Sequence, residues 1–66
     1  MEWISKPDTS ISNKFISGNI MIRYENTIYG YQYIIYKNNK EIDSCQTLDG
    51  AKNKAEKYKW YNYIRG

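Results

Sequence analysis

Residues 28–45 read IYGYQYIIYKNNKEIDSC and carry the strongest structural signal in the chain. The first half, Ile28 to Tyr36, is dense in aromatic and β-branched residues and is apolar on both alternating faces, as expected of a central strand. Lys37-Asn38-Asn39-Lys40 then predicts a tight hairpin, because asparagine tolerates the positive φ of a two-residue turn. Glu41 to Cys45 predicts a short strand, in which the odd spacing of Ile42 and Cys45 indicates either a bulge or one residue outside the core.

The residues before this stretch predict one more strand. Apolar residues alternate from Phe15 to Tyr24, and Glu25-Asn26-Thr27 is typical of a turn. Lys6 to Asn13 contains the one proline together with several turn-forming residues, and it predicts a loop. Trp3 precedes this loop, and we expect it to fold back onto the core as an anchor.

The residues after this stretch predict a helix. Thr47 is a good N-cap, Asp49 suits the first turn, and the remainder to Arg65 contains no proline. The only two alanines of the chain, Ala51 and Ala55, lie in the middle of one side of this helix, where a close approach to a sheet requires small side chains. The residues predicted to share this side are Leu48, Ala51, Ala55, Tyr58 and Asn62.

These elements predict an α+β fold, in which a three-stranded antiparallel sheet packs on one C-terminal helix in the order β-β-β-α. The chain is one small domain over residues 1–66, with an N-terminal segment over 1–14, a β-meander over 15–46 and the helix over 47–65. A chain of 66 residues buries only about 60% of the surface that its unfolded form exposes, so a homodimer would compensate for the small core.

Composition restricts the chemistry. Ten Ile, eight Lys, eight Tyr and seven Asn make up half of the chain, and both A/T-rich codon usage and selection for a binding surface would explain this excess. With no histidine and a single cysteine, Cys45, we predict no enzyme activity, no metal site and no cofactor. Glu41 and Asp43 are expected to share a strand face as exposed charges rather than as an acid–base pair. The absence of a membrane-length apolar run and of a signal peptide predicts a cytoplasmic protein.

A second apolar group on the helix predicts a binding surface. Trp60 and Ile64 lie away from the alanine side, and together with Lys57 and Tyr61 they match the composition of an interface core. The alternative is that Trp60 folds over the sheet edge or against Trp3. The sheet face without the helix is expected to be open and to carry Met21, Arg23, Gln32, Ile34 and Tyr36. The predicted partner-binding residues are Lys57, Trp60, Tyr61, Ile64, Tyr36 and Arg23.

Charge offers a second interpretation of the helix. The whole net charge of +3 lies within residues 48–66, where lysines alternate with aromatic residues. Such a pattern can bind nucleic acid through phosphate neutralisation and base stacking. The alternative is an ordinary solvated helix whose basic residues complement its dipole.

Two family resemblances add to these patterns. The run Tyr-x-Tyr-Ile-Ile-Tyr-Lys-Asn-Asn-Lys-x-Ile from Tyr31, followed by Thr47-Leu48-x-x-Ala51-Lys52-x-x-Ala55, resembles short bacteriophage proteins that have a Trp near the start, a "gk-l" hairpin and a "T-l-x-x-A-K-x-x-A" helix. A weaker resemblance is to the arm-type DNA-binding domain of tyrosine integrases, which also has three strands and a helix. The first resemblance implies an accessory protein of a phage, acting in the cytoplasm of a bacterial host.

Three functions are therefore predicted. The first is a non-enzymatic, phage-like accessory protein that binds and inhibits or adapts a host protein, including proteins of anti-phage defence. The second is a small nucleic-acid-binding module that uses the helix lysines, Arg23 and exposed tyrosines. The third is a sponge that sequesters a signalling nucleotide between tyrosines.

Overall fold

The computed structural model describes residues 2–9 and 12–65, with side chains as far as residue 58. A five-stranded antiparallel sheet in the order β1-β2-β3-β4-β5 precedes one helix, so each strand pairs with its neighbours along the chain. The elements are β1 (Ile4–Pro7), β2 (Asn13–Ser17), β3 (Ile20–Thr27), β4 (Gly30–Lys37), β5 (Lys40–Cys45) and α1 (Leu48–Arg65).

The α+β class and the C-terminal helix are confirmed, but the prediction of a three-stranded sheet is wrong. One cause lies in the segment from Phe15 to Tyr24, which was expected to be a single strand. Gly18 takes a φ of +61° and, with Asn19, forms a turn, so that Ser17 pairs with Ile20 across a hairpin. A glycine followed by Asn is a known hairpin signal, since glycine takes positive φ without steric cost.

The second cause lies in the segment from Lys6 to Asn13, which was expected to be a loop throughout. Lys6 and Pro7 instead end β1, while Asn13 begins β2 and pairs with Pro7. Proline is tolerated here because β1 lies at the sheet edge, where a strand needs hydrogen bonds on one side only. The Asn13 side-chain amide also donates to the Ser5 hydroxyl (3.2 Å), which joins the two strands through side chains.

The two remaining turns show one error and one confirmed prediction. Residues 25–27, expected to turn, belong to β3, and the chain reverses at Ile28 and Tyr29 instead. The predicted hairpin turn at Asn38 and Asn39 is confirmed, with φ values of 52° and 66°. Of the two alternatives for β5, the structure shows the bulge, because the β4–β5 register shifts beside Ile42 and both Ile42 and Cys45 contact the core.

The core forms where the helix meets β3 and β4. Ile20, Ile22 and Ile35 point to the helix and are at most 1% exposed, and Ala51 and Ala55 are fully buried against them. The predicted role of the two alanines is therefore confirmed. The helix begins as predicted, since the Thr47 hydroxyl accepts the Gly50 N–H (3.1 Å). Half-buried residues around this core are Trp3, Phe15, Tyr33, Ile42, Cys45 and Leu48.

Candidate functional site

The β3–β4 hairpin is closed by Thr27 and Gly30. The Thr27 hydroxyl donates to the Gly30 carbonyl (2.7 Å) and accepts the N–H of Tyr29 (3.1 Å). Gly30 takes a φ of +94°, a conformation that other residues rarely adopt, and so allows Ile28 and Tyr29 to keep negative φ. The hydrogen bonds that close this turn involve the side chain of neither Ile28 nor Tyr29.

These two side chains are nevertheless large, apolar and exposed. Ile28 is 90% exposed, Tyr29 81% and the nearby Tyr31 51%. Turns usually carry small polar residues, and the exposure of apolar side chains to water is unfavourable. We call Ile28, Tyr29 and Tyr31 the tip surface. Ile4 is the only other large hydrophobic residue that is exposed among the residues whose side chains are described.

A stack of three tyrosines connects the tip surface to the core. The rings of Tyr24 and Tyr31 stack with centroids 5.1 Å apart, and Tyr24 contacts Tyr33 in a tilted arrangement at 4.7 Å. Tyr33 in turn packs against the buried core. Stacking on Tyr24 favours one orientation of the Tyr31 ring, although half of this side chain is exposed. An aromatic ring with a favoured orientation loses less conformational entropy when it binds a partner.

The stretch of sequence that carries the tip surface contains little charge. From Tyr24 to Tyr36 the sequence contains one charged residue, Glu25, and the Tyr36 hydroxyl donates a hydrogen bond to its carboxylate. No Lys or Arg lies in this segment. The arrangement therefore suits an apolar or aromatic contact better than a phosphate.

Two of the predicted partner-binding residues, Arg23 and Tyr36, are engaged within the chain. Arg23 forms a bidentate pair with Asp8, with Nε to Oδ2 at 2.9 Å and Nη2 to Oδ1 at 3.3 Å, and this hydrogen bond raises the pKa of Arg23. Partial burial and the hydrogen bond to Glu25 raise the pKa of Tyr36 to about 12. Part of the hydrogen-bonding capacity of each side chain is therefore already used within the chain.

The same contacts cover much of the sheet face that was expected to be open. Ile34 lies on this face and is only 5% exposed. Tyr36 is paired with Met21, yet its hydroxyl reaches Glu25, four residues farther along β3, so its ring extends along the sheet beside Ile34. The loop that follows β1 adds Asp8 over Arg23. Ile34 is therefore covered, but Met21, Arg23, Gln32 and Tyr36 are only half-buried, and no helix packs on this face among the described residues.

The other predicted binding residues are on the helix. Lys57 is exposed, and the side chains of Trp60, Tyr61 and Ile64 lie outside the described residues. Arg23 and Tyr36 lie on the sheet face that points away from the helix, whereas Lys57 lies on the helix itself. The structure therefore does not bring Lys57 together with Arg23 and Tyr36.

Two of the four helix lysines that were expected to bind nucleic acid, Lys52 and Lys54, have contacts within the chain. Lys52 Nζ lies 5.3 Å from the centroid of the Phe15 ring, and Lys54 Nζ donates to the Ser44 carbonyl (2.8 Å). Lys54 also lies 3.6 Å from Asp43, which accepts the Tyr58 hydroxyl (3.0 Å). Burial opposes ionisation of Asp43, but its hydrogen bonds with Ser44 and Tyr58 and the charge of Lys54 outweigh this effect and lower its pKa.

The reactive side chains that the sequence singled out are Glu41, Asp43 and Cys45. Glu41 is paired with Tyr36 and Asp43 with Ile35, so the bulge puts the two carboxylates on opposite faces, contrary to the expectation that they share one. The Thr47 backbone N–H lowers the pKa of Cys45, while partial burial acts in the opposite direction. No group of three potential metal ligands occurs among the described residues.

Comparisons with protein-family models, curated proteins and solved structures gave no match to this chain. In the part of the chain that the structure describes, no helix is both long and apolar enough to span a membrane.

The sequence patterns missed the tip surface. Ile28 and Tyr29 were assigned to the start of a strand, because β-branched and aromatic residues favour strands. The signal that could have identified them is Gly30, since a glycine directly after two apolar residues can close a hairpin by taking positive φ.

Proposed function

We propose that this chain is a non-enzymatic binding module that recognises another protein through the tip surface, Ile28, Tyr29 and Tyr31. The observation that carries the proposal is the 90% and 81% exposure of two apolar turn residues whose side chains the turn does not need. Tyrosine is enriched at the centres of protein interfaces, where a few aromatic side chains supply most of the binding energy.

The distribution of charge supports a protein partner over a nucleic acid. Single strands bind proteins through exposed aromatic rings next to basic residues that neutralise phosphates. The segment that carries the tip surface contains no basic residue. Arg23, Lys52 and Lys54 are each engaged within the chain. We therefore favour protein binding over nucleic-acid binding and over sequestration of a nucleotide.

The resemblance to short bacteriophage proteins supports a narrower form of the proposal. In this form the partner is a host protein, including a component of anti-phage defence, which the chain inhibits or adapts. The helix residues Lys57, Trp60, Tyr61 and Ile64 would form a second contact surface.

The test compares the wild-type chain with an Ile28→Ser/Tyr29→Asn double variant. Serine and asparagine suit turns, so the free energy of unfolding should stay within about 0.5 kcal/mol of wild type. A protein captured by the wild-type chain from a host lysate would be purified, and its affinity for each variant measured by calorimetry. We expect the double variant to bind at least about tenfold more weakly.

Two further variants complete the design. Asn39→Gly changes the turn at the other end of β4 and should bind like wild type. Trp60→Ala tests the helix surface separately. Equal affinity of the folded tip variant and wild type would refute the proposal. A steep fall in affinity between about 50 and about 200 mM salt would indicate that the partner is a nucleic acid instead.

A further inference from the structure

The sheet has two edges, and the outer edge of β5 is capped. The Ser44 N–H donates to the Asp43 carboxylate (2.7 Å), and its carbonyl accepts from Lys54 Nζ (2.8 Å). Both backbone groups of Ser44 are thus occupied by side chains. The bulge in β5 further disrupts the regular spacing that a new strand would need.

The outer edge of β1 has no equivalent cap among the described residues. All four residues of β1 are exposed. The Asp8 N–H donates to the Ser12 carbonyl (3.2 Å), and because hydrogen-bonded and non-bonded pairs alternate in antiparallel ladders, Ser5 and Pro7 point their backbone groups away from β2. This edge therefore offers the N–H and carbonyl of Ser5 and the carbonyl of Pro7.

The charge beside this edge is positive. Lys6 lies directly opposite Lys14 on β2, a like-charge pair that disfavours folding. Asp8, two residues beyond Lys6, is paired with Arg23. No acidic side chain forms an ion pair with Lys6 or Lys14 within the described part of the chain.

We infer that the outer edge of β1 binds an extended acidic segment of another polypeptide as a sixth strand of the sheet. Main-chain hydrogen bonds to Ser5 and Pro7 would hold the added strand, and its acidic side chains would lie beside Lys6, with Lys14 one strand farther away. This site is separate from the tip surface, so either proposal can fail without the other.

A second copy of this chain fits the same edge poorly. Antiparallel pairing of two β1 strands about Ser5 places each Lys6 opposite Ile4 of the other copy. The two Lys6 residues would then be diagonal neighbours about 7 to 8 Å apart on one face, with both Lys14 residues beside them. Four uncompensated positive charges oppose this dimer, whereas an acidic strand neutralises them.

The probe is a capped peptide of alternating glutamate and valine, about six residues long, and its control has lysine in place of glutamate. Binding to the full chain is measured by calorimetry and by amide chemical shifts. The acidic peptide should bind with shifts centred on Ser5, and the lysine peptide should bind at least about tenfold more weakly.

Two variants of one position test the hydrogen bonds. Ser5→Pro removes an outward N–H without breaking a bond to β2, as Pro7 already does two residues later, and Ser5→Ala keeps the N–H. Ser5→Pro should weaken peptide binding about tenfold, since it leaves a peptide carbonyl unpaired, and Ser5→Ala should bind like wild type. Equal binding by both folded variants would overturn the inference.

A reversal of charge at Lys6 and Lys14 provides a second test that does not depend on the folding of Ser5→Pro. Lys6→Glu/Lys14→Glu should reverse the preference, so that the lysine peptide binds more tightly than the glutamate peptide. An unchanged preference would contradict the inference, as would binding of single-stranded DNA in place of the acidic peptide. A doubling of mass in sedimentation that Ser5→Pro abolishes would assign the edge to a second copy instead.

Discussion

Asp43 joins the helix to the last strand. It accepts hydrogen bonds from the Ser44 N–H (2.7 Å) and the Tyr58 hydroxyl (3.0 Å), and Lys54 lies 3.6 Å away. Asp43 also fixes the geometry of the capped sheet edge. Asp43 thus both holds the helix against β5 and helps to cap the outer edge of that strand.

Asp43→Asn should lower the free energy of unfolding by about 1 to 2 kcal/mol near neutral pH, because the charged acceptor is lost. The pKa of Asp43 is lowered in the folded chain, so its contribution is present above the ordinary aspartate pKa of about 4 and is lost as the pH falls through the folded value. Urea denaturation at a series of pH values should show a weaker acid dependence for Asp43→Asn. Glu41→Gln on the same strand is the control, and an equal change in both variants would contradict the prediction.

Ala55 is fully buried against the core isoleucines, so the helix has little room for added volume at this position. Ala55→Leu should cost about 1 to 3 kcal/mol through overpacking. Asn53→Leu introduces the same side chain at an exposed position of the same helix and should leave stability within about 0.5 kcal/mol. Urea denaturation of both variants checks the difference, and equal stability would show that Ala55 does not face the sheet.

At the scale of elements, the three hairpins from β2 to β5 each have a two-residue turn, and these turns differ in conformation. Gly18 alone takes positive φ in the first, Gly30 follows the two turn residues in the second, and both Asn38 and Asn39 take positive φ in the third. Positive φ is unfavourable for residues other than glycine and asparagine, so the local sequence fixes where each hairpin reverses.

The cost of positive φ can be measured at the turn formed by Asn38 and Asn39. Asn39 has a φ of 66°, so Asn39→Ala should lower the free energy of unfolding by about 1 to 2 kcal/mol. Asn39→Gly should retain stability within about 0.5 kcal/mol, because glycine has no Cβ to clash. Thermal and urea unfolding of the pair checks this, and equal losses would mean that backbone conformation is not the cause.

The sequence predicted the elements with strong local signals and missed those that depend on the sheet as a whole. The alanines, the N-cap Thr47 and the asparagine turn have causes within a few residues. β1 is a strand only because β2 is there to pair with it, and its Lys6 and Pro7 favour no strand by themselves. The exposure of Ile28 likewise depends on where the hairpin turns, which the periodicity alone did not determine.

For the whole molecule, the order β1-β2-β3-β4-β5 means that every strand pair is formed by consecutive segments. Such topologies have short loops to close and fold faster than sheets with distant pairings. We expect refolding in a single exponential phase on the order of milliseconds, which stopped-flow tryptophan fluorescence would measure. A rollover in the folding limb would contradict this expectation by indicating a populated intermediate.

The way in which Thr27 and Gly30 close the β3–β4 turn has a practical consequence. Since neither side chain between them takes part in the closing hydrogen bonds, these two positions are suitable for randomisation. A two-position library displayed on this scaffold would sample new recognition properties, while the isoleucine and alanine core keeps its composition. The hairpin is therefore a site at which specificity can diversify independently of the fold.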